Sequence, residues 1–224
     1  QILVANSGLP PKCWGMSSND TFKRMGHAAC FALCLICVPF LAAADTPTEA
    51  QIDRIENYLN TLRTLEARFV QNNPDGGFAQ GKLYLHRPGR MRFIYDPPVP
   101  LQLYADGNLL IHVDTELEQV SHYPLDETPA HFLLRGNISL RKGLTVKRYE
   151  HANKVVRVEL VDGKNPDIGS VMLTFSDAPL QLRSWTITDA QGLRTELALV
   201  DARFGGKLDP GLFRFTDTFE GLGN

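Results

Sequence analysis

From residue 81 onward, short runs of aromatic and β-branched residues are separated by turns rich in Gly, Pro, Asn and Asp. Apolar and polar residues alternate within the runs, which is typical of β-strands that bury one face. Asp106-Gly107 and the segment from Asp189 to Gly192 are hairpin turns between such runs. Because strands joined by turns this short are antiparallel, and a sheet of about ten strands curls, we predict one strongly curved antiparallel sheet. The predicted strands are 81–86, 91–95, 101–104, 109–113, 117–123, 155–161, 170–175, 180–188, 193–200 and 213–215.

A helical pattern precedes the strands, from Thr48 to about Phe69. Its apolar residues recur at intervals of three and four, and charged residues fill the opposite side. Thr48 followed by Gln51 resembles a capping box. We therefore predict a long N-terminal helix packed on the inner face of the sheet. Its apolar positions are Ile52, Ile55, Tyr58, Leu59, Leu62, Leu65 and Phe69.

The strand pattern is interrupted between residues 128 and 144. Thr128 can cap a helix, Pro129 suits its first position, and Gly136 with Asn137 ends it. A short apolar helix is predicted here, and 138–144 is a candidate for a second one. The fold class is mainly β with some α, in one domain.

The N-terminal segment has the parts of a secretory signal in the expected order. Lys23 and Arg24 precede an uncharged apolar run, Ala28 to Leu41, and Ala42 to Ala44 form a small-residue cleavage site. The run of 14 residues is shorter than the ~20 that span a bilayer. We predict upstream residues plus a cleavable signal at 1–44, with translation from Met16 or Met25, and a mature domain at 45–224. The alternative is an N-terminal membrane anchor.

The mature region carries few signs of chemistry. The full sequence has a net charge of −2, which gives no reason to expect a nucleic-acid partner. All four cysteines precede residue 45, the histidines have no metal-ligand spacing, and neither a nucleophile elbow nor a phosphate-binding loop is present. We predict a monomeric, non-enzymatic protein without a metal or cofactor. An active site assembled from distant positions remains an alternative.

A series of motifs in the mature region points to a family. A glycine-led strand at Gly81 is followed by Arg87-Pro88, an aromatic strand ending in Tyr95, Asp106-Gly107, and then Asp114 and Glu118-Gln119-Val120. This order resembles the outer-membrane lipoprotein carrier (LolA) family of Gram-negative bacteria. The resemblance extends to LEARFVQ at 65–71, TPAHFLL at 128–134, the turn at 189–192 and LDPGLFRFT at 208–216.

The resemblance implies a half-open β-barrel with short lid helices over an apolar cavity. It implies a periplasmic carrier that takes acylated lipoproteins from an inner-membrane ABC exporter and delivers them to an outer-membrane acceptor. Arg87 matches the family's arginine that holds the lid closed by hydrogen bonds, and Met91 matches a hydrophobic residue implicated in accepting cargo. The guanidinium fork suits several carbonyl acceptors, although Arg87 alone would also fit a plain turn residue.

The candidates for lining the cavity are apolar residues of the curved strands and the lid, although alternation does not show which face points inward. Each is also a candidate for ordinary core. Besides Met91, they are Leu83, Leu85, Phe93, Tyr95, Leu103, Leu110, His112, Phe132, Leu133, Leu134, Phe175 and Trp185.

Three further alternatives stay open. The first is the acylated outer-membrane acceptor of the same pathway, which the lack of a cysteine at the cleavage point disfavours. The second is a periplasmic envelope-stress sensor of similar fold, and the third is a carrier of small lipids. The basic segment at 135–148 is either a docking surface or a solvated edge, and we favour the edge.

Overall fold

The strands pair antiparallel with their neighbours and form one large sheet that stays open. The protein is represented by a computed structural model, which describes residues 46–129 and 131–216. Across the sheet the order is β6-β5-β4-β3-β2-β1-β11-β10-β9-β8-β7. The strands are β1 Thr64–Asn72, β2 Phe78–His86, β3 Arg90–Tyr95, β4 Leu101–Asp106, β5 Leu109–Asp114, β6 Gln119–Pro124, β7 Leu144–Ala152, β8 Val155–Asp162, β9 Gly169–Ser176, β10 Gln181–Asp189 and β11 Arg194–Phe204.

Two α-helices, α1 (Glu49–Thr61) and α2 (His131–Leu134), accompany the sheet, with short 3₁₀ turns at Leu125–Glu127, Pro166–Ile168 and Pro210–Phe213. The edge strands β6 and β7 are consecutive in the sequence, so the segment between them crosses from one edge of the sheet to the other. This crossing segment contains α2. We call residues 125–129 and 131–136 the lid. Neither of these α-helices has both the length and the apolar character that crossing a bilayer requires.

The predicted hairpins are confirmed. Asp106 joins β4 to β5, and its carboxylate accepts hydrogen bonds from the backbone N–H groups of Asn108 and Leu109, both at 2.9 Å. Asp189 joins β10 to β11 in the same way, accepting from Gln191 and Leu193. These local bonds fix the turns wherever the rest of the chain lies.

The N-terminal helix is shorter than predicted. The capping box of Thr48 and Gln51 is present, and Ile55 and Leu59 are buried against the sheet. The helix ends at Thr61, however, and Thr64–Asn72 is the central strand β1. Residues 65 and 69 fit a helical spacing, but the buried side chains of Leu65, Ala67 and Phe69 follow the period of two. Pairing with β2 on one side and β11 on the other overrides the helical pattern.

The predicted second lid helix at 138–144 is absent from this described part of the chain. The backbone N–H and carbonyl of Ile138 are bonded to the side chain of Asn60, both at 2.8 Å, and the N–H of Leu140 donates to Glu56. Because polar side chains of α1 satisfy these backbone groups, the segment stays irregular. Strand β7, which the sequence analysis missed, begins at Leu144.

Two smaller predictions also fail. Thr128 does not cap α2: its hydroxyl donates instead to the carbonyl of Leu125, at 2.8 Å, and closes the preceding 3₁₀ turn. Residues 213–215 are not a strand, because this segment crosses the outer face of the sheet. There Phe215 packs on Tyr104, with 5.4 Å between ring centroids.

The basic segment at 135–148 is largely neutralised within the chain. Arg135 pairs with Asp162, Arg141 with three carboxylates of α1, Lys147 with Glu159 and Arg148 with Glu150. The segment therefore presents little free positive charge, which supports its interpretation as a solvated edge.

Candidate functional site

An apolar cavity of about 240 Å³ lies on the inner face of the sheet. Leu110 of β5 and Val171 of β9 both line it, although they stand seven strands apart in the sheet order. In a flat sheet seven strand spacings would separate them by roughly 34 Å, so the cavity exists because the sheet curls around it. The lining residues are Gln71, Met91, Phe93, Tyr95, Leu103, Leu110, Leu133, Val171, Trp185, Ile187, Thr195 and Leu197.

One wall of the cavity is aromatic. The ring of Phe69 packs edge-on against Phe93 and Tyr95, with centroids 5.1 Å away in both cases. This packing requires a glycine on the next strand: a Cβ at Gly81 would lie 2.8 Å from Cε1 of Phe69 and 2.1 Å from the carbonyl oxygen of Ile94. Gly81, the fourth residue of β2, thus allows the aromatic wall to form.

The cavity has one polar end. The hydroxyl of Tyr95 donates to Oε1 of Gln71 at 2.9 Å, and the amide of Gln71 donates to Asn73 at 2.6 Å. Burial raises the pKa of the Tyr95 phenol, so it stays protonated and able to donate. The remaining lining is almost entirely hydrocarbon. A ligand with a long apolar part and a small polar part matches this distribution.

The lid fills part of the enclosed space. Phe132, Leu133 and Leu134 of α2 are all buried, and Leu133 reaches the apolar cavity itself. A helix of one turn is not stable in isolation. The position of α2 therefore depends on this apolar packing and on hydrogen bonds to the rest of the protein.

Arg87, at the end of β2, supplies several of those bonds. It is 3% exposed. Its guanidinium donates to the carbonyl oxygens of Leu59 in α1, of Leu62 directly after α1, and of Arg135 after α2. Burial, and secondarily the charge of Arg63, lower the pKa of Arg87 to about 10, so it remains a cation at neutral pH. One buried cation thus joins the N-terminal helix to the lid.

His131 lies at the start of α2 in a polar cluster. Its Nδ1 is 2.7 Å from the carbonyl of Thr128, and its Nε2 is 2.7 Å from Nη2 of Arg135. Since a guanidinium can only donate, Nε2 accepts and Nδ1 carries the proton. Asp162 is the nearest carboxylate, 3.7 Å from Nε2. Protonation of Nε2 would replace the hydrogen bond from Arg135 with two cations in contact.

Comparison of the sequence with known families identifies the family of this chain. A family model described as outer membrane lipoprotein carrier protein LolA matches residues 60–216. The chain belongs to the LolA family. The outer-membrane lipoprotein carrier protein of Methylococcus capsulatus is 29% identical over 200 residues, 83% of this chain and 94% of that relative. That of Dechloromonas aromatica is 30% identical over 205 residues, 87% of this chain and 92% of the relative.

Among solved structures, a LolA superfamily protein from Nitrosomonas europaea superposes with a TM-score of 0.41 at 11% identity. The match covers 73% of this chain and 97% of that one.

Seven of the candidate residues from the sequence analysis line the cavity: Met91, Phe93, Tyr95, Leu103, Leu110, Leu133 and Trp185. The others lie elsewhere. Leu83, Leu85, Phe132, Leu134 and Phe175 are buried in the core, and His112 shares the inner face with Leu103 without reaching the cavity.

Five lining residues were missed: Gln71, Val171, Ile187, Thr195 and Leu197. Val171 and Thr195 are the cross-strand partners of Ile187, and Leu197 is the partner of Trp185. Once Trp185 is known to point inward, alternation places Ile187 on the same face, and register places the other three strand neighbours there. Gln71 lacks such a signal, since it is polar.

We expect the protein to lose stability in mild acid because His131 binds a proton more readily in the unfolded chain than in the folded one. Burial, reinforced by the charge of Arg135, lowers the pKa of His131 below its ordinary value, although the Thr128 carbonyl, Asp162 and Asp126 act in the opposite direction. The unfolded chain, with an ordinary histidine pKa of about 6.5, then binds more protons as the pH falls. We expect urea midpoints of the wild type to drop more between pH 7.5 and 5.5 than those of His131→Gln. Equal drops in the two proteins would show that His131 contributes nothing.

Proposed function

We propose that this protein is a periplasmic carrier that shields the acyl chains of lipoproteins from water. The observation that carries the proposal is an apolar cavity plugged by Leu133 of a lid that polar contacts hold in place. Each methylene transferred from water to such a cavity contributes about 0.8 kcal/mol. Membership of the LolA family, whose model is described as a lipoprotein carrier, supports the same function.

The volume of the cavity favours movement of the lid when cargo binds. A water molecule occupies about 30 Å³ of liquid, and a methylene group is of similar size. The 240 Å³ cavity therefore holds about eight methylene groups, which is less than one long acyl chain. Withdrawal of Leu133 and its neighbours on α2 would enlarge the space, because these side chains occupy the interior that the sheet encloses.

Arg87 sets how readily that movement occurs. In the closed protein it satisfies three carbonyl oxygens of α1 and the lid; in the open protein water would take its place. Cargo must therefore bind strongly enough to offset the loss of these bonds, and closure of the lid assists release. A carrier needs this balance, since a cavity that is always open would not give up its cargo.

The remaining parts of the proposal follow from the family resemblance. Cargo is received from an inner-membrane ABC exporter and delivered to an outer-membrane acceptor, by a monomer that catalyses no reaction. Export to the periplasm would depend on the signal at 1–44, which lies outside the described residues.

One observation favours a second candidate function, the binding of a single small lipid. At 240 Å³ the closed cavity fits a short apolar ligand without any movement of the lid. The polar pair of Tyr95 and Gln71 would then face the ligand's polar group. A mass measurement on the purified protein distinguishes one small lipid from a lipoprotein.

A charge placed in the cavity tests the proposal. Leu103→Asp puts a carboxylate on the lining, where burial of an unpaired charge is costly. The matched control is Gln102→Asp, one residue away on the outer face beside Arg92. Using a fluorescent triacylated cysteinyl peptide, we expect at least about a tenfold loss of affinity for Leu103→Asp and wild-type affinity for Gln102→Asp. Equal affinities in all three proteins would place the binding site elsewhere.

A further inference from the structure

A single residue, Arg135, attaches the lid to both halves of the sheet. Its backbone carbonyl accepts from Nε of Arg87 at 2.8 Å, on the half formed by β2 to β6. Its guanidinium donates to Oδ2 of Asp162 at 2.7 Å, at the end of β8 in the other half. Since α2 ends one residue earlier, at Leu134, both attachments act at the C-terminal end of the lid helix.

We propose that Asp162 is a positioning residue for the lid, holding Arg135 so that its carbonyl stays aligned with Arg87. The inference rests on the proposed carrier function for its biological meaning, but the coupling of Asp162 to lid closure does not. Nothing in the family resemblance assigns a role to this aspartate.

Asp162 is itself firmly held. Its side chain is 9% exposed, and Oδ1 accepts from the backbone N–H groups of Lys164 at 2.7 Å and Asn165 at 3.0 Å. This leaves Oδ2 directed at Arg135. Burial acts to raise the pKa of Asp162, but these backbone hydrogen bonds and Arg135 outweigh it and lower the pKa. The carboxylate is therefore charged at neutral pH and fixed before the lid arrives.

The Arg135 side chain is held along its length. The guanidinium carbon lies 5.4 Å from the ring centroid of Phe132, Nη2 reaches His131, and Nη1 is 3.4 Å from the carbonyl of Gly143. Charge-assisted hydrogen bonds such as the one to Asp162 are about twice as strong as neutral ones. Asp162 thus provides the charged anchor on the β7 to β11 side.

The other half of the sheet holds the lid through its backbone. The N–H of Gly89, between β2 and β3, donates to the carbonyl of Leu134 at 2.9 Å. On the other side of the Arg87 contact, Arg63, just before β1, donates to the carbonyl of Gly136 at 3.0 Å. If the Arg135 side chain were released, the segment from 134 to 136 would lose its ion pair with the β7 to β11 side. Rotation of the Arg135 peptide would then separate its carbonyl from Arg87. Asp162 and Arg87 should therefore act as a coupled pair.

The test compares Asp162→Asn, Arg87→Leu and the double variant in the mature protein, with anilinonaphthalene sulfonate as the probe of cavity access. Asparagine keeps an oxygen for Lys164 and Asn165 but presents an amide to Arg135. We expect Asp162→Asn to raise probe affinity about tenfold. The double variant should gain less than the product of the two single gains.

Asp177→Asn is the matched control. Asp177 also binds an arginine and a histidine, Arg54 at 2.5 Å and His151 at 2.8 Å, but it anchors α1 instead of the lid. We expect it to lower the urea midpoint and leave probe affinity unchanged. If Asp162→Asn behaves like this control, Asp162 is only a structural ion pair and the inference is overturned. Independent, multiplicative gains would also overturn it.

If Asp162→Asn does not fold, Arg135→Met removes the same contact while keeping an unbranched apolar stem, and the same gain in probe affinity is expected. The probe reports access to the cavity whatever the natural cargo is. Suppose that the probe affinities of the Asp162 and Arg87 variants rise in a coupled way, but the purified protein carries no acyl cargo. That result would support the role of Asp162 and contradict the carrier function.

Discussion

The Arg87→Leu protein should bind acylated cargo at least about 30-fold more tightly than the wild type. Arg87 is buried and bonded to carbonyl oxygens of Leu59, Leu62 and Arg135. Hydrogen bonds to a charged group contribute about 1.5–3 kcal/mol each, whereas leucine saves the cost of burying a cation. A net loss of about 2 kcal/mol from the closed state is a conservative estimate.

That loss appears as a gain in cargo affinity because the lid must open for cargo to bind. Apparent affinity equals intrinsic affinity multiplied by the open fraction, and 1.4 kcal/mol corresponds to a factor of ten. Titration with the triacylated fluorescent peptide measures the change. Arg87→Lys keeps the positive charge but loses the forked guanidinium, so its cargo affinity should lie between those of the wild type and Arg87→Leu.

Arg68→Leu is the control for the loss of an arginine as such. Arg68 pairs with Asp96 and is 39% exposed, away from the lid. We expect it to change cargo affinity less than twofold, since exposed ion pairs contribute about 0–1 kcal/mol. Unchanged or weaker cargo binding by Arg87→Leu would show that its bonds do not hold the lid closed.

Phe175→Ala should have the largest effect on stability, a loss of about 3–5 kcal/mol in the free energy of unfolding. The Phe175 side chain is 0% exposed and packs edge-on against Tyr58 of α1, with 5.6 Å between ring centroids. Alanine would leave a cavity between the helix and the sheet that the backbone cannot close. Urea unfolding of the mature protein measures the loss.

The matched control is Phe78→Ala, since Phe78 is 61% exposed at the start of β2. Its substitution should change stability by no more than about 0.5 kcal/mol. Because Phe175 lies outside the cavity lining, the folded fraction of Phe175→Ala should bind cargo like the wild type. A loss of stability below about 1 kcal/mol would contradict the packing described for α1.

Local chemistry made most of the sheet predictable. Turns such as Asp106-Gly107 are fixed by bonds between neighbouring residues, so their positions and the antiparallel pairing can be inferred from sequence. Strand β1 could not be inferred from the sequence, because the spacing of Leu65 and Phe69 also fits a helix. Its strand conformation comes from pairing with β11, more than a hundred residues away in the chain.

The cavity was only partly predictable for a related reason. Val171 and Phe175 are on the same face of β9, and both are buried. Val171 lines the cavity, whereas Phe175 lies under α1. Alternation identifies the face of a strand, but which part of that face a helix covers depends on the path of the whole chain. Asp162 illustrates the same limit, since only the folded lid brings Arg135 to it.

The claim that the cavity carries lipoprotein acyl chains is tested most directly by native mass spectrometry. The protein is expressed with its own signal in a Gram-negative periplasm, purified as the chain beginning at Asp45, and compared with Arg87→Leu. We expect bound triacylated lipoprotein in the wild type and more of it in the variant. The carrier function would be contradicted if the wild type and Arg87→Leu both showed only the mass of the empty protein and neither took up lipoprotein from inner-membrane vesicles that contain the exporter.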